Sequence, residues 1–201
     1  MPLSNYAFDK FVAQELSELT APTAISVLHE FPSIDGWLQT FILKNMLERN
    51  LPHKHAALAF ALLRRAQAAI EDYDDACAAL KLVVQRQTTI SQYFRLLRKV
   101  EATIASLYQA FDIARKPLQS DIFEPNDGTP YQRLNCIYNR SRHVNTLSLP
   151  AGHLHPVWLQ NDGLYTDGAF LRFDELEQQL RDLGRIAERV SNHDAFPPTD
   201  S

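Results

Sequence analysis

From Pro52 to Lys116 the chain contains no glycine, and after Pro52 it contains no proline until Pro117. Two apolar stripes at helical spacing cross this stretch. The first is Leu58, Leu62, Ile70, Tyr73, Cys77, Leu80 and Val84. The second is Ile90, Tyr93, Leu97, Val100, Ile104, Leu107 and Phe111. Residues that recur every three or four positions share one face of an α-helix, so each stripe predicts a buried seam. Pro52 suits the first turn of a helix, where its missing amide costs nothing. Between the stripes, Thr89-Ile-Ser-Gln92 reads as a capping box, in which a threonine and a glutamine satisfy each other's free backbone amides. Two long helices joined by a few residues must turn back on each other. The expected hairpin is therefore 54–85 packed on 89–116, with Pro117 ending the second helix.

This hairpin predicts a mainly α fold: an antiparallel helical bundle with a small β-hairpin before the C-terminal helix. Before the hairpin, residues 5–20 and 22–31 read as short amphipathic segments broken at Pro22. Residues 33–49 read as another, with Ile34, Trp37, Leu38, Phe41, Ile42 and Met46 on one side. Residues 117–130 hold three prolines and an Asn-Asp-Gly, which marks a loop. After Pro150 the pattern changes. Asp162-Gly163 offers a turn with positive φ between short strands, and Asp167-Gly168 offers a second, giving a small β element over about 156–172. Asp174 and Glu177 resemble a further capping box, opening a last helix. Residues 1–192 are expected to form a single domain. Residues 193–201, polar with two prolines, are expected to be a disordered tail.

Charge and composition exclude several classes. A net charge of −4 leaves no global basic field for gripping long nucleic acid, though local basic patches remain, as at Arg140 and Arg142. The two cysteines, Cys77 and Cys136, form no metal-ligand or redox spacing, so no disulfide framework is expected. The N-terminus lacks the basic and apolar regions of a signal peptide, and no apolar run reaches the ~18 residues needed to span a bilayer. A cytoplasmic location, no membrane association and no cofactor are expected. His153 and His155 stand two apart and invite a metal reading, as do His53 and His55, but spacing suggests no further ligand. A plain loop or strand edge is the favoured reading. Glu71-Asp-Tyr-Asp-Asp75 reads as a solvated acidic helix face, since an EF-hand loop needs a glycine and a distal glutamate.

One short segment gathers chemistry. Residues 131–145 contain YQRLNCIYNRSRHV, and at 100° per residue Leu134, Ile137, Ser141 and Val144 form a packing face. Asn135, Asn139, Arg142 and His143 fall within roughly a 100° arc on the other side. An amide, a guanidinium and an imidazole are thereby offered together, a set that can bind a phosphate and move a proton. Read simply, this is an ordinary surface helix with a polar face.

The sequence LNCIYNRSRHV resembles the motif helix of the HEPN superfamily (higher eukaryotes and prokaryotes nucleotide-binding), all-helical bundles that include many ribonucleases of toxin–antitoxin, abortive-infection and other defence systems. The family motif is an arginine, usually a polar residue after it, and a histidine four to six residues beyond the arginine. Asn139 stands at the polar position and His143 at the histidine. Tyr138 stands where the arginine belongs, with Arg142 or Arg140 as its replacement. The later VWLQNDGLYTDG hairpin and FDEL helix also resemble the tails of some HEPN-like bacterial proteins. The resemblance implies catalytic roles for His143, Asn139 and Arg142, and substrate contacts from Arg140, Asn135 and Tyr138. It implies no metal and no cofactor, a homodimer with the cleft between two motif helices, RNA or a nucleotide as ligand, and a protein partner such as an antitoxin. A non-catalytic helical adaptor or regulatory protein that binds another protein is the alternative, and Tyr138 in place of arginine favours it.

Overall fold

The computed structural model describes residues 5–13, 15–49, 51–85, 89–118, 127–142, 149 and 153–193. Among these the chain is mainly helical. It forms α1 (Asn5–Phe11), α2 (Trp37–Lys44), α3 (His53–Gln85), α4 (Ile90–Leu118), α5 (Pro130–Arg142) and α6 (Phe173–Ser191). Three strands, β1 (Val157–Leu159), β2 (Gly163–Thr166) and β3 (Ala169–Arg172), make an antiparallel sheet in sequence order just before α6.

The long pair is where the stripes place it. Leu62, Ile70, Tyr73, Cys77 and Leu80 of α3 are buried, as are Tyr93, Leu97, Val100, Ile104, Leu107 and Phe111 of α4. The small residues Ala59, Ala66, Ala69 and Ala76 are buried beside them, which lets two backbones approach closely. Asp75, ten residues before the end of α3, pairs with Lys99, nine residues after the start of α4. The two helices therefore run back along each other. The capping box forms as read: the Thr89 amide donates to Gln92 Oε1 at 3.0 Å, and the Gln92 amide donates to Thr89 Oγ1 at 3.3 Å. At its far end α4 continues through Pro117 to Leu118 instead of stopping before the proline. A proline forfeits one ladder bond, but its fixed φ is already helical, so the last turn can carry it.

Three other expectations are corrected. In 33–49 the helix α2 is extended by a π-helical turn, Asn45–Arg49, and only Ile34, Trp37 and Phe41 of the expected stripe are buried. Ile42, still within α2, is 44% exposed, and Met46, inside the π-helical turn whose wider winding rotates it off the seam, is 75% exposed. Gly163 does not supply positive φ. It lies within β2, where an added Cβ would stand 2.3 Å from the Leu171 carbonyl, so the need there is for close strand approach. Gly168, between β2 and β3, does take φ +84°. Finally, α6 opens at Phe173. Glu175, not Glu177, reaches back to the cap, its carboxylate accepting from the Arg172 amide at 3.1 Å.

Glu177 is buried instead. Its Oε1 accepts from the Tyr73 hydroxyl at 3.0 Å and from the Ile25 amide at 2.8 Å, tying the N-terminal segment, α3 and α6 together. Burial pushes the Tyr73 phenol well above its ordinary range, with Cys77 and Glu177 adding to the shift. Burial likewise pushes the Cys77 thiol up to about 12, so it is an inert packing residue. On the sheet, Val157, Leu159, Leu164 and Leu171 are buried, while Trp158, Tyr165 and Phe170 stack across the opposite face in register. Cross-strand aromatic pairs of this kind hold a short sheet in register. His193, expected at the start of the tail, is 2% exposed and packs on Phe41; the rest of that tail, 194–201, lies outside the described residues. No helix among the described residues is long and apolar enough to cross a membrane.

Candidate functional site along helix α5

Helix α5 begins with its own cap. Thr129 Oγ1 accepts from the Gln132 amide at 3.4 Å, and Pro130 takes the first helical position. Arg133 fixes the approach from α6: it pairs with Glu175 and donates to the Gly128 carbonyl. Leu134 and Ile137 are fully buried against α4 and the sheet, as their spacing predicts. Ser141 is partly exposed and donates back to the Tyr138 carbonyl at 2.9 Å. Val144, the last member of the expected packing face, lies outside the described residues, and so does His143.

Tyr138 turns inward. It is 8% exposed, and its ring stacks on Tyr108 of α4 with centroids 4.2 Å apart and planes 18° apart. Burial raises the Tyr108 phenol above its ordinary value, with Asp112 and Tyr138 adding to it and Arg115 opposing. The Tyr138 hydroxyl accepts from Arg142 Nη1 at 2.8 Å, and the guanidinium carbon of Arg142 lies 5.2 Å from the centre of the same ring. A layered stack results: Tyr108, Tyr138, then an exposed arginine. Tyr138 thus positions an arginine one turn later on the same helix.

Asn139 is exposed and donates to Asn135 Oδ1 at 2.8 Å. Among the described residues, the Asn139 side-chain carbonyl and the Asn135 amide nitrogen have no further partner. Asn135, Asn139 and Arg142 are therefore brought onto one edge of α5, with Tyr138 beneath. Arg140 is not brought to that edge. Two residues along a helix is a rotation of 200°, so Arg140 and Arg142 leave the helix about 160° apart and cannot grip one phosphate.

The histidines read as candidate metal ligands do not converge. His153 is buried and packs against Trp158, with ring centroids 4.2 Å apart and planes tilted by 45°. His155 faces α4, where its Nε2 lies 3.1 Å from Glu101 Oε1 and its Nδ1 lies 3.2 Å from the Val157 amide. Burial works to lower the His155 pKa, but the hydrogen bond to Glu101, its charge and the Val157 carbonyl outweigh burial and raise it. Both ring nitrogens are engaged in holding the sheet to α4. His53 and His55 are exposed at the first turn of α3. Among the described residues, no group of three or more His, Cys, Asp or Glu could hold a metal ion.

Two features had no readable signal. The Tyr108–Tyr138 stack joins helices 30 positions apart, and nothing local in either sequence announces it. The His155–Glu101 pair crosses from the sheet to α4, and its only sequence hint is a histidine beside a proline. No protein-family model, no curated protein and no solved structure matches this chain.

Proposed function

We propose that this chain is a HEPN-like, antiparallel helical bundle that binds RNA along α5 and cleaves it without a metal, in a bacterial defence, toxin–antitoxin or stress system. The observation that carries the reading is the Arg142–Tyr138–Tyr108 stack. An exposed arginine is ordinarily mobile and costly to order. Here the ring and hydroxyl of Tyr138 hold the guanidinium of a residue one turn from Asn139 along α5, so part of that ordering is done before a phosphate arrives.

The chemistry follows from residue types. The RNA 2′-hydroxyl attacks the adjacent phosphorus, its proton passing to a base, and the 5′-oxygen leaves with a proton from an acid. Products are a 2′,3′-cyclic phosphate and a free 5′-hydroxyl. His143 is the base or the acid, since an imidazole titrates near neutral pH. Arg142 stabilises charge on the phosphate oxygens, and Asn139 orients a phosphate oxygen or the imidazole. A homodimer with two α5 helices face to face supplies acid and base from two copies. Sedimentation at micromolar concentration is expected to show a dimer, and a 22.9 kDa species alone would contradict it.

The test is RNA cleavage by wild type and His143→Ala side by side. The variant is expected to lose roughly 10²–10⁴-fold in rate, and chelators are expected to change neither protein. Equal cleavage by both removes His143 from the mechanism.

A protein-binding adaptor is the second reading. A specific surface favours it: Ile42, Leu43, Met46 and Leu47 are 44%, 49%, 75% and 80% exposed at the end of α2 and its π-helical turn. Clustered exposed apolar residues of this kind mark interaction surfaces. Wild type that cleaves no RNA, with pulldown by this surface lost in Met46→Glu, would select it.

A further inference from the structure

The first three turns of α6 carry an oddity that the reading of α5 does not use. Gln179 is 2% exposed, and neither its Oε1 nor its Nε2 finds a hydrogen-bond partner among the described residues. It sits between core leucines of the same helix, Leu176, Leu180 and Leu183. A buried carboxamide with neither end satisfied is destabilising, whereas an apolar residue of the same shape is nearly neutral there. Gln179 also lines a cleft of about 300 Å³ between the start of α5 and α6. Pro130 and Tyr131 form one wall, and Asp174, Glu175 and Asp182 line the other.

The charged groups around the cleft are already matched. Asp174 pairs with Arg172, Glu175 with Arg133, and Asp182 with Arg185. Asp182 also accepts from the Tyr131 hydroxyl at 3.3 Å and from Gln178 at 2.9 Å. A cation has no unpaired carboxylate to meet, and an anion faces three carboxylates at close range. A neutral ligand is favoured. A volume near 300 Å³ is at the small end of ligand clefts, enough for one or two flat rings.

We propose that this cleft binds a small, neutral, planar amide. A carboxamide offers a donor and an acceptor side by side, and its complement is another amide with N–H and C=O on the same edge. Two hydrogen bonds form at once: the ligand N–H donates to Gln179 Oε1, and Gln179 Nε2 donates to the ligand carbonyl. Tyr131 and Pro130 supply flat apolar walls for the ring. Gln179 lines the cleft, and rotation about its own terminal bonds turns the carboxamide toward the ligand. This site is separate from the Asn139–Arg142 edge and does not depend on RNA cleavage.

The chemistry can come from a primary carboxamide on a ring or from a cyclic amide edge, and the probes separate the two. Nicotinamide represents the first and 2-pyridone the second. Nicotinic acid is the charge control, and N,N-dimethylnicotinamide lacks the N–H. Binding is read on the full chain by ligand-observed NMR and thermal shift. At least one of the two amides is expected to bind saturably, with nicotinic acid and the dimethyl compound failing at the same concentrations. Gln179→Leu is expected to fold with an unchanged or raised Tm, and to lose about tenfold or more in affinity with both hydrogen bonds. Gln179→Met, unbranched like glutamine, is expected to lose binding equally and serves should leucine disturb the helix. The proposal is overturned if neither amide binds wild type, if nicotinic acid binds as well as nicotinamide, or if affinity survives in the folded glutamine variant.

Discussion

Two polar clusters in this molecule use similar residue types in opposite ways. At the Glu177 node a carboxylate is 5% exposed and is spent on structure, accepting from Tyr73 and Ile25. Along α5, Asn139 and Arg142 are exposed, and each is held by one neighbour on its own helix. The first cluster satisfies its polar atoms inside the fold. The second orients polar atoms and leaves hydrogen-bonding capacity outside it. A functional edge is recognised by what remains available once the internal partners are counted, and the number of polar residues gathered is a poor guide.

If this contrast holds, substitutions in the packed half change stability and those on the α5 edge do not. The largest effect is expected in the seam between α3 and α4. Leu62 and Leu97 are 0% and 1% exposed, so Leu62→Ala or Leu97→Ala should cost about 2–5 kcal/mol in chemical denaturation. A change under about 0.5 kcal/mol at both sites would mean that the seam is not the core. Glu177→Ala should follow, at about 2–3 kcal/mol, because it strands the Tyr73 hydroxyl and the Ile25 amide without their charged acceptor. Glu177→Gln keeps an acceptor and should recover part of that loss.

Smaller still is a pH effect at His155. Its pKa is raised in the folded protein, so its stabilising contribution is complete below the unfolded value near 6.5. The contribution is lost as pH rises through the raised folded value. The stability difference between wild type and Glu101→Gln should therefore be largest in mildly acidic solution and shrink above about pH 6.5. Because His155 and Glu101 are partly exposed, the change should stay under about 1 kcal/mol. A difference that grows toward alkaline pH contradicts the pairing. Smallest is Arg142→Ala, which should alter stability by less than about 0.5 kcal/mol, since an exposed side chain contributes little to the fold.

The sequence made α3 and α4 legible because burial there is set by a local period. Leu62, Ile70, Leu97 and Ile104 occupy their faces by spacing alone. The Thr89–Gln92 cap was legible for the same reason: its partners lie three residues apart. Glu177 was not. Its spacing from Asp174 imitates a cap, while its partners come from α3 and the N-terminal segment, 104 and 152 residues away. On α5 the period separated Leu134 and Ile137 from Asn135 and Asn139. It did not reveal that Tyr138 faces Tyr108, because an aromatic ring on the boundary of a stripe is assigned by its tertiary neighbour. Gly163 misled for a related reason: Asp-Gly marks turns, and close approach of β3 also demands glycine.

Under the proposed function, the α5 edge is a pre-positioned RNA contact. The direct measurement is fluorescence anisotropy of a labelled single-stranded RNA against wild type, Arg142→Ala and Arg142→Lys at two salt concentrations. Wild type should bind with an affinity that falls as salt rises. Arg142→Ala should weaken binding by roughly tenfold with an unchanged Tm, and lysine should restore only part, because it lacks the planar fork that stacks on Tyr138. Equal affinity for wild type and Arg142→Ala, or no RNA binding by the wild type, would contradict the claim.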